Sequence, residues 1–237
     1  MRAIKYILFD CMETLVDLRV LPEPRDYAHW GFNGSGVEHL WSNFDEYFNH
    51  YERARRMLIC ERPMHKEESV EDRFEIICRL NPRINHDETK CNKVVRLLSS
   101  NYNTNYYAQC FVKEDVRDAL PVIEERFRLG VVSNFKVLGG IESILEQQGL
   151  APFFDFIVTS ISVGWRKPHR AIYEAAIREA GIHPRDILFF GDDYENDLVG
   201  PKTMGMHALL LDRYDKHPDE AHRVRNFGAL EQRLSTY

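Results

Sequence analysis

The chain has 237 residues, enough for one large domain or for a domain with a smaller companion. Apolar residues make up 44% and charged residues 29%, as in an ordinary soluble globular protein. The net charge of −6 excludes a nucleic-acid surface as the main partner, because that role needs a clustered basic excess. The five cysteines (Cys11, Cys60, Cys78, Cys91 and Cys110) are odd in number, irregularly spaced and never C-x-x-C. They exclude a disulfide framework or a zinc site and fit a reducing cytoplasm. No apolar run approaches ~20 residues, so neither a signal peptide nor a membrane span is expected. A soluble, cytoplasmic protein with no membrane partner follows.

In chain order, residues 3–9 predict a buried strand that stops abruptly on Asp10 within "ILFDCMETLVD". Residues 18 to about 111 carry helical patterns and no buried strand. "VEHLWSNFDEYFNHYERARRML" spaces Val37, Leu40, Trp41, Phe44, Tyr47, Phe48, Tyr51 and Leu58 as one amphipathic helix. "SVEDRFEIICRL" and "CNKVVRLLSS" predict two more helices. Residues 18–36 read as a hinge and loop whose Arg25, His29 and Trp30 either line a pocket or pack locally. The Arg53-Arg55-Arg56 run reads as a solvated helix face.

From Val112 to Leu211 the texture changes. "LGVVSN", "FFDFIVTS", "DILFFGD" and "HALLLD" are apolar runs without alternation, as for strands covered on both faces. Helical segments separate them; in "KPHRAIYEAAIREAG" Pro168 stands near the first turn and Gly181 is the stop. Strand–helix alternation predicts an open, doubly wound, Rossmann-like α/β parallel sheet with an inserted all-helical domain.

Ligands bind such sheets outside the carboxyl ends of the strands. There the sequence puts Asp10 after the first strand, Ser133-Asn134 after "LGVV", and Gly191-Asp192-Asp193 after "ILFF". Lys167 is expected to open the helix after "FIVTS". Each residue alone has a reading as a turn or cap residue. Asp197 stands either as support for a metal or as the helix cap near "ENDL".

Taken together, these segments resemble the haloacid dehalogenase (HAD) superfamily of hydrolases at four motifs in order. The motifs are Asp10-Cys11-Met12-Glu13-Thr14-Leu15, Ser133 in "VVSN", Lys167 in "WRKPHRAIYEAA", and Asp192 with Asp197 in "GDDYENDLVGPKTMGM". The resemblance implies a core domain of residues 1–17 plus 113–237 and a helical cap domain of residues 18–112. It implies Asp10 as a nucleophile forming a covalent intermediate, with Ser133 and Lys167 as further catalytic residues. Thr14 and Asn134 become substrate-binding candidates. Asp10, Asp192, Asp197 and the Met12 backbone carbonyl become ligands of Mg²⁺, a hard cation that takes oxygen donors. The partner implied is a small-molecule substrate; no oligomeric state is assigned.

Met12 departs from the pattern. Phosphatases of the family usually carry Asp at this position, as the acid that protonates the leaving oxygen, and a methionine has no proton to give. Three readings follow: a Mg-dependent phosphatase on a small phosphorylated metabolite; a metal-independent 2-haloacid dehalogenase, whose halide needs no acid; and a low-turnover binding protein. Glu13, Asp17, Glu46 and Glu52 are weighed as substitute acids. Lys66 and Lys90 are poorly placed for a phosphonoacetaldehyde-hydrolase lysine, and Arg19 and Arg25 fall early for a dehalogenase arginine. Trp165 and Arg166 precede Lys167 at the cleft edge, and His217 and His222 read as surface residues.

Overall fold

The computed structural model describes residues 4–234. Residues 1–3 and 235–237 of the expected core segments, including residue 3 of the expected first strand, lie outside the described residues. The chain divides into two compact units, Met1–Asp17 with Phe111–Tyr237, and Leu18–Cys110.

Strand β1 (Tyr6–Phe9) is buried along its whole length, which is why its sequence is an unbroken apolar run. The chain then leaves through β2 (Asp17–Leu18) and returns through β3 (Cys110–Phe111), which pair as a short ribbon. This ribbon puts the second boundary two residues before the expected position 112.

The unit between them is helical, with α1 (Pro24–Phe32), α2 (Phe44–Glu61), α3 (Val70–Leu80) and α4 (Glu88–Gln109). Helix α1 occupies part of the segment read as hinge and loop. Pro24 opens it, and the Asp26 carboxylate accepts the Glu23 N–H at 2.8 Å. The single helix expected from Val37 to Leu58 is broken. Glu38–Leu40 form a short tight turn, and Asn43 is extended and accepts the Glu46 N–H at 2.9 Å. Asparagine favours such a cap over a helix interior, so the cap wins over the apolar spacing that runs through it. Val37, Leu40 and Trp41 are buried all the same. Ser69 and Asp72 form a reciprocal capping box at the start of α3.

The other unit continues with α5 (Glu114–Glu124), β4 (Arg128–Ser133), α6 (Gly140–Gln147), β5 (Phe156–Thr159), α7 (Ser160–Val163) and α8 (Arg170–Ala180). It ends with β6 (Ile187–Gly191), α9 (Gly200–Thr203), β7 (His207–Leu211), β8 (Arg223–Val224) and α10 (Phe227–Leu234). The six strands run parallel in the order β5-β4-β1-β6-β7-β8. The fold is therefore an α/β, Rossmann-like parallel sheet, with the chain progressing outward on both sides of β1.

Tyr6 and Leu8 of β1 pack into one core with Ile172, Tyr173 and Ala176 of α8. On alternate positions Phe9 lies against Phe190 and stacks on Phe227 of α10. Both faces are thus covered, and the order reverses at β1, between β4 and β6. The carboxyl ends of those three strands form the switch point at which such sheets bind ligands.

Lys167, expected to open the helix after β5, does not, while Pro168 stands near the first turn of α8, just before the cap. Helix α7 intervenes after β5 and ends at Gly164 with left-handed φ (+80°). His169 is extended and caps α8, its Nδ1 accepting the Ala171 N–H at 3.3 Å.

Candidate active site

Asp10 follows β1, and its N–H bonds to the Phe190 carbonyl at 2.9 Å, locking it beside the end of β6. The next residues turn back tightly. The Leu15 and Val16 N–H groups both donate to the Cys11 carbonyl, at 2.8 and 2.9 Å. Glu13 takes a positive φ of 63° and is exposed. Met12 is half-buried.

Lys167 is buried and spends all three of its N–H donors inward. Its Nζ lies 2.7 Å from Asp10 Oδ1, 2.7 Å from Asp197 Oδ1 and 3.0 Å from the Val132 carbonyl. Asp197 is fully buried, and its second oxygen accepts the Asp193 N–H at 3.0 Å. It is not the helix cap. That role belongs to Asp193, whose carboxylate accepts the Asn196 N–H at 2.8 Å. Asp197 lies flush against Gly191, where a Cβ would stand 2.4 Å from its Oδ2. Only glycine leaves room for it there.

Asp192 completes the group. It receives the Thr14 hydroxyl at 3.3 Å. Single oxygens of Asp10, Asp192 and Asp197 lie within 4.8 Å of one another. With all three carboxylates ionised, the site would carry two negative charges in excess of Lys167. The electrostatics carry that imbalance. Burial, and then the charges of Asp10, Asp197 and Glu13, push the Asp192 carboxyl up to about 8 against the opposing pull of Lys167. Asp197 rises to about 7, through burial and through Asp10, again opposed by Lys167. Burial works against the charge on Lys167, but Asp10 and Asp197 hold its pKa above the usual lysine value. A hard divalent cation fits this donor set, because carboxylate oxygens are the ligands it prefers and two charges are what the site lacks.

Ser133 ends β4. Its Oγ is buried and has no hydrogen-bond partner among the described residues. Such an orphaned hydroxyl is costly unless a ligand satisfies it. Asn134, expected to touch substrate, has its side chain engaged with the protein: Oδ1 accepts the Lys167 N–H at 2.7 Å, and Nδ2 donates to the Lys167 carbonyl at 3.2 Å. It clamps the Lys167 backbone. Thr14 is likewise buried with its hydroxyl on Asp192, so both substrate-binding candidates make internal contacts.

The structure thus brings together Asp10, Asp192, Asp197 and Lys167, with Ser133 and Asn134 at the end of the neighbouring strand. The candidate acids have other surroundings. Asp17 pairs with Lys113 at 2.8 Å, Glu46 with Arg83 at 3.3 Å, and Glu52 with Arg55 at 3.1 Å. In the helical unit, Arg25 pairs with Asp45 and lies over Phe44 and Phe48, His29 stacks on Phe44, and Trp30 packs edge-on to Tyr27 and Tyr106. Lys90 donates to the Arg83 carbonyl. Trp165 stacks on His169, with centroids 4.1 Å apart, and Arg166 is exposed. His222 is exposed beside Glu220, while His217 is half-buried and stacks on Tyr194. The sequence reading missed Ser160, whose hydroxyl accepts the Phe135 N–H at 2.9 Å and steadies the loop after Ser133. No spacing rule could have found it, because the two segments lie 25 residues apart.

A family model of haloacid dehalogenase-like hydrolases matches residues 4–205. The chain belongs to this family. Among curated relatives, it is 42% identical over 84 residues to the human haloacid dehalogenase-like hydrolase domain-containing protein 3, spanning 35% of this chain and 33% of that protein. It is 33% identical over 100 residues to a glyceraldehyde 3-phosphate phosphatase from Methanothermobacter thermautotrophicus, spanning 42% of this chain and 44% of that protein. The match thus spans a third to under half the length of these relatives. Two solved structures share the HAD-like fold over nearly their whole length. A 2-haloacid dehalogenase from Pseudomonas syringae superposes with a TM-score of 0.73 at 19% identity, covering 98% of this chain and 99% of that one. A putative HAD-hydrolase from Bacillus subtilis, described as bound to magnesium, gives a TM-score of 0.62 at 17% identity, covering 99% and 100%.

Proposed function

We propose that this HAD-like hydrolase is a Mg²⁺-dependent phosphatase acting on a small phosphorylated metabolite through a covalent intermediate on Asp10. The observation that carries the reading is the cluster of Asp10, Asp192 and Asp197, which when ionised carries two negative charges in excess of Lys167. A nucleophile that is itself anionic and attacks an anionic phosphoryl group needs positive charge beside it. Bound there, Mg²⁺ would neutralise and orient both partners. Its ligands would be Asp10, Asp192, Asp197 and the Met12 carbonyl.

The remaining steps belong to side chains. Lys167 holds Asp10 Oδ1, which leaves Oδ2 as the attacking oxygen. The unpartnered Ser133 hydroxyl donates to a phosphoryl oxygen. Asn134 fixes the Lys167 backbone and so the position of its ammonium. The helical unit, Leu18–Cys110, serves as the cap that selects substrate, and the relative with phosphatase in its name supports a phosphate ester over a halide. The reading places the protein in a reducing cytoplasm, in keeping with the five free cysteines. No described helix is long and apolar enough to cross a membrane.

One observation favours a second reading. Met12 stands where an acid would protonate the leaving group, and a halide leaves without one, as in 2-haloacid dehalogenation. The experiment that separates the two is phosphate release from a panel of phosphomonoesters with and without Mg²⁺, beside halide release from 2-haloacids. Phosphate release that requires Mg²⁺ and is lost in Asp10→Asn is the expected result. Metal-independent halide release with no phosphate release overturns the proposal, and release of neither favours the low-turnover binding protein.

A further inference from the structure

The acid Asp197 does not sit on an ordinary helical turn. From Tyr194 to Val199 the backbone winds wide, and the Gly200 N–H donates to the Glu195 carbonyl, five residues back. A widened turn of this kind is locally unfavourable and recurs at functional sites. It also creates a specific deficit at Asn196. The N–H five residues on from Asn196 would belong to position 201, which is Pro201 and has none. The N–H four residues on, Gly200, is given to Glu195.

Tyr173, on α8, fills the deficit. Its hydroxyl donates to the Asn196 carbonyl at 2.6 Å. The ring is buried in the core beneath the sheet, among Phe189, Ile172 and Leu198. Burial pushes the phenol pKa well above its ordinary value, so the proton stays available for donation. Gly200 makes the approach possible: a Cβ there would stand 2.1 Å from the Tyr173 oxygen and 2.7 Å from its Cζ. Three residues with no part in the chemistry, Tyr173, Gly200 and Pro201, therefore act on one turn.

We infer that Tyr173 is a positioning residue for the cation site: its hydroxyl holds the wide turn that presents the Asp197 carboxylate to Lys167 and to the metal. This rests on the Mg²⁺ reading above. Without the hydroxyl, the Asn196 carbonyl is left unsatisfied and the turn gains by tightening to ordinary helical spacing. Tightening rotates position 197 away from Lys167 and Gly191. The ring of Tyr173→Phe still fills the core, so the variant removes one hydroxyl and nothing else.

The test is direct titration of Mn²⁺, as a magnesium surrogate, into the wild-type 237-residue chain, Tyr173→Phe and Asp197→Asn, followed by calorimetry or the manganese spin signal. A thermal melt of each metal-free protein runs alongside. The expected result is a dissociation constant raised about tenfold in Tyr173→Phe, within the range for partners that orient metal ligands, and at least as much in Asp197→Asn. An unchanged constant in Tyr173→Phe, with or without a lower melting temperature, overturns the inference and leaves the metal reading standing. Absence of binding to the wild-type protein overturns both.

Discussion

At the scale of the residue, Met12 is the position whose chemistry can be isolated. It is half-buried in the turn after Asp10, and the acids considered as substitutes are exposed or engaged elsewhere. Turnover should therefore depend steeply on how readily the leaving group departs unprotonated. Met12→Asp installs a proton donor at the place the reaction needs one. General acid help contributes about 10²–10⁴ in rate, so the variant should gain most on alkyl phosphates, which leave poorly. It should gain little on aryl phosphates with acidic leaving groups. Rates across a series of esters of graded leaving-group pKa give the comparison: a steep slope in the wild-type protein and a flatter one in the variant are expected. Parallel slopes would mean that another residue already supplies the proton. Asp10, Ser133, Asp192 and Asp197 could be named as candidates from the sequence because each ends a strand or follows one in a fixed motif, and Lys167 because it stands in the "WRKPHRAIYEAA" motif. Tyr173, Ser160 and the Asn134 clamp were not, because their roles arise from contacts between distant segments.

At the scale of the element, the helical unit contains a titratable contact that local spacing gives no hint of. Trp41 Nε1–H donates to His50 Nδ1 at 3.1 Å, which requires the neutral ring. Burial disfavours the charged imidazolium, with Glu46 opposing and Arg53 adding to the effect, so the folded-state pKa lies below the ordinary 6.5. Between these values the unfolded chain binds more protons than the folded one. The contribution is complete above pH 6.5 and is lost as pH falls through 6.5 toward the folded-state value. Chemical unfolding of wild type and His50→Gln at pH 7.5 and 5.5 checks this. The wild type should lose more stability over the interval, because glutamine offers the same acceptor without titrating; equal losses would refute the role.

The elements themselves were unevenly legible. The sheet strands were clear because both faces are covered and the apolar runs are unbroken. Helix α1 was hidden by two prolines, and the break at Asn43 by an apolar spacing that continues through a cap. The wide turn at Tyr194–Val199 was invisible, since it depends on Tyr173 reaching in from α8.

At the scale of the whole molecule, sequence and structure agree on a parallel α/β sheet whose strand ends gather acids around one lysine, and the structure adds that the strand order reverses at β1. Fold class was readable because the alternation of buried runs and helices admits few topologies. Substrate choice was not, since no motif in the sequence specifies a substrate. The same fold is shared by a 2-haloacid dehalogenase and by a magnesium-bound putative hydrolase, so the fold alone does not choose the chemistry. The claim that joins every part of this account is that Asp10 carries a phosphoryl group during turnover. It is tested most directly by acid-quenching a single turnover of a phosphomonoester with Mg²⁺ and weighing the peptide that contains Asp10. A phosphoryl adduct on that peptide, absent without Mg²⁺ and absent in Asp10→Asn, is the predicted result. Phosphate release with no adduct at any quench time, or equal release from Asp10→Asn, would contradict it.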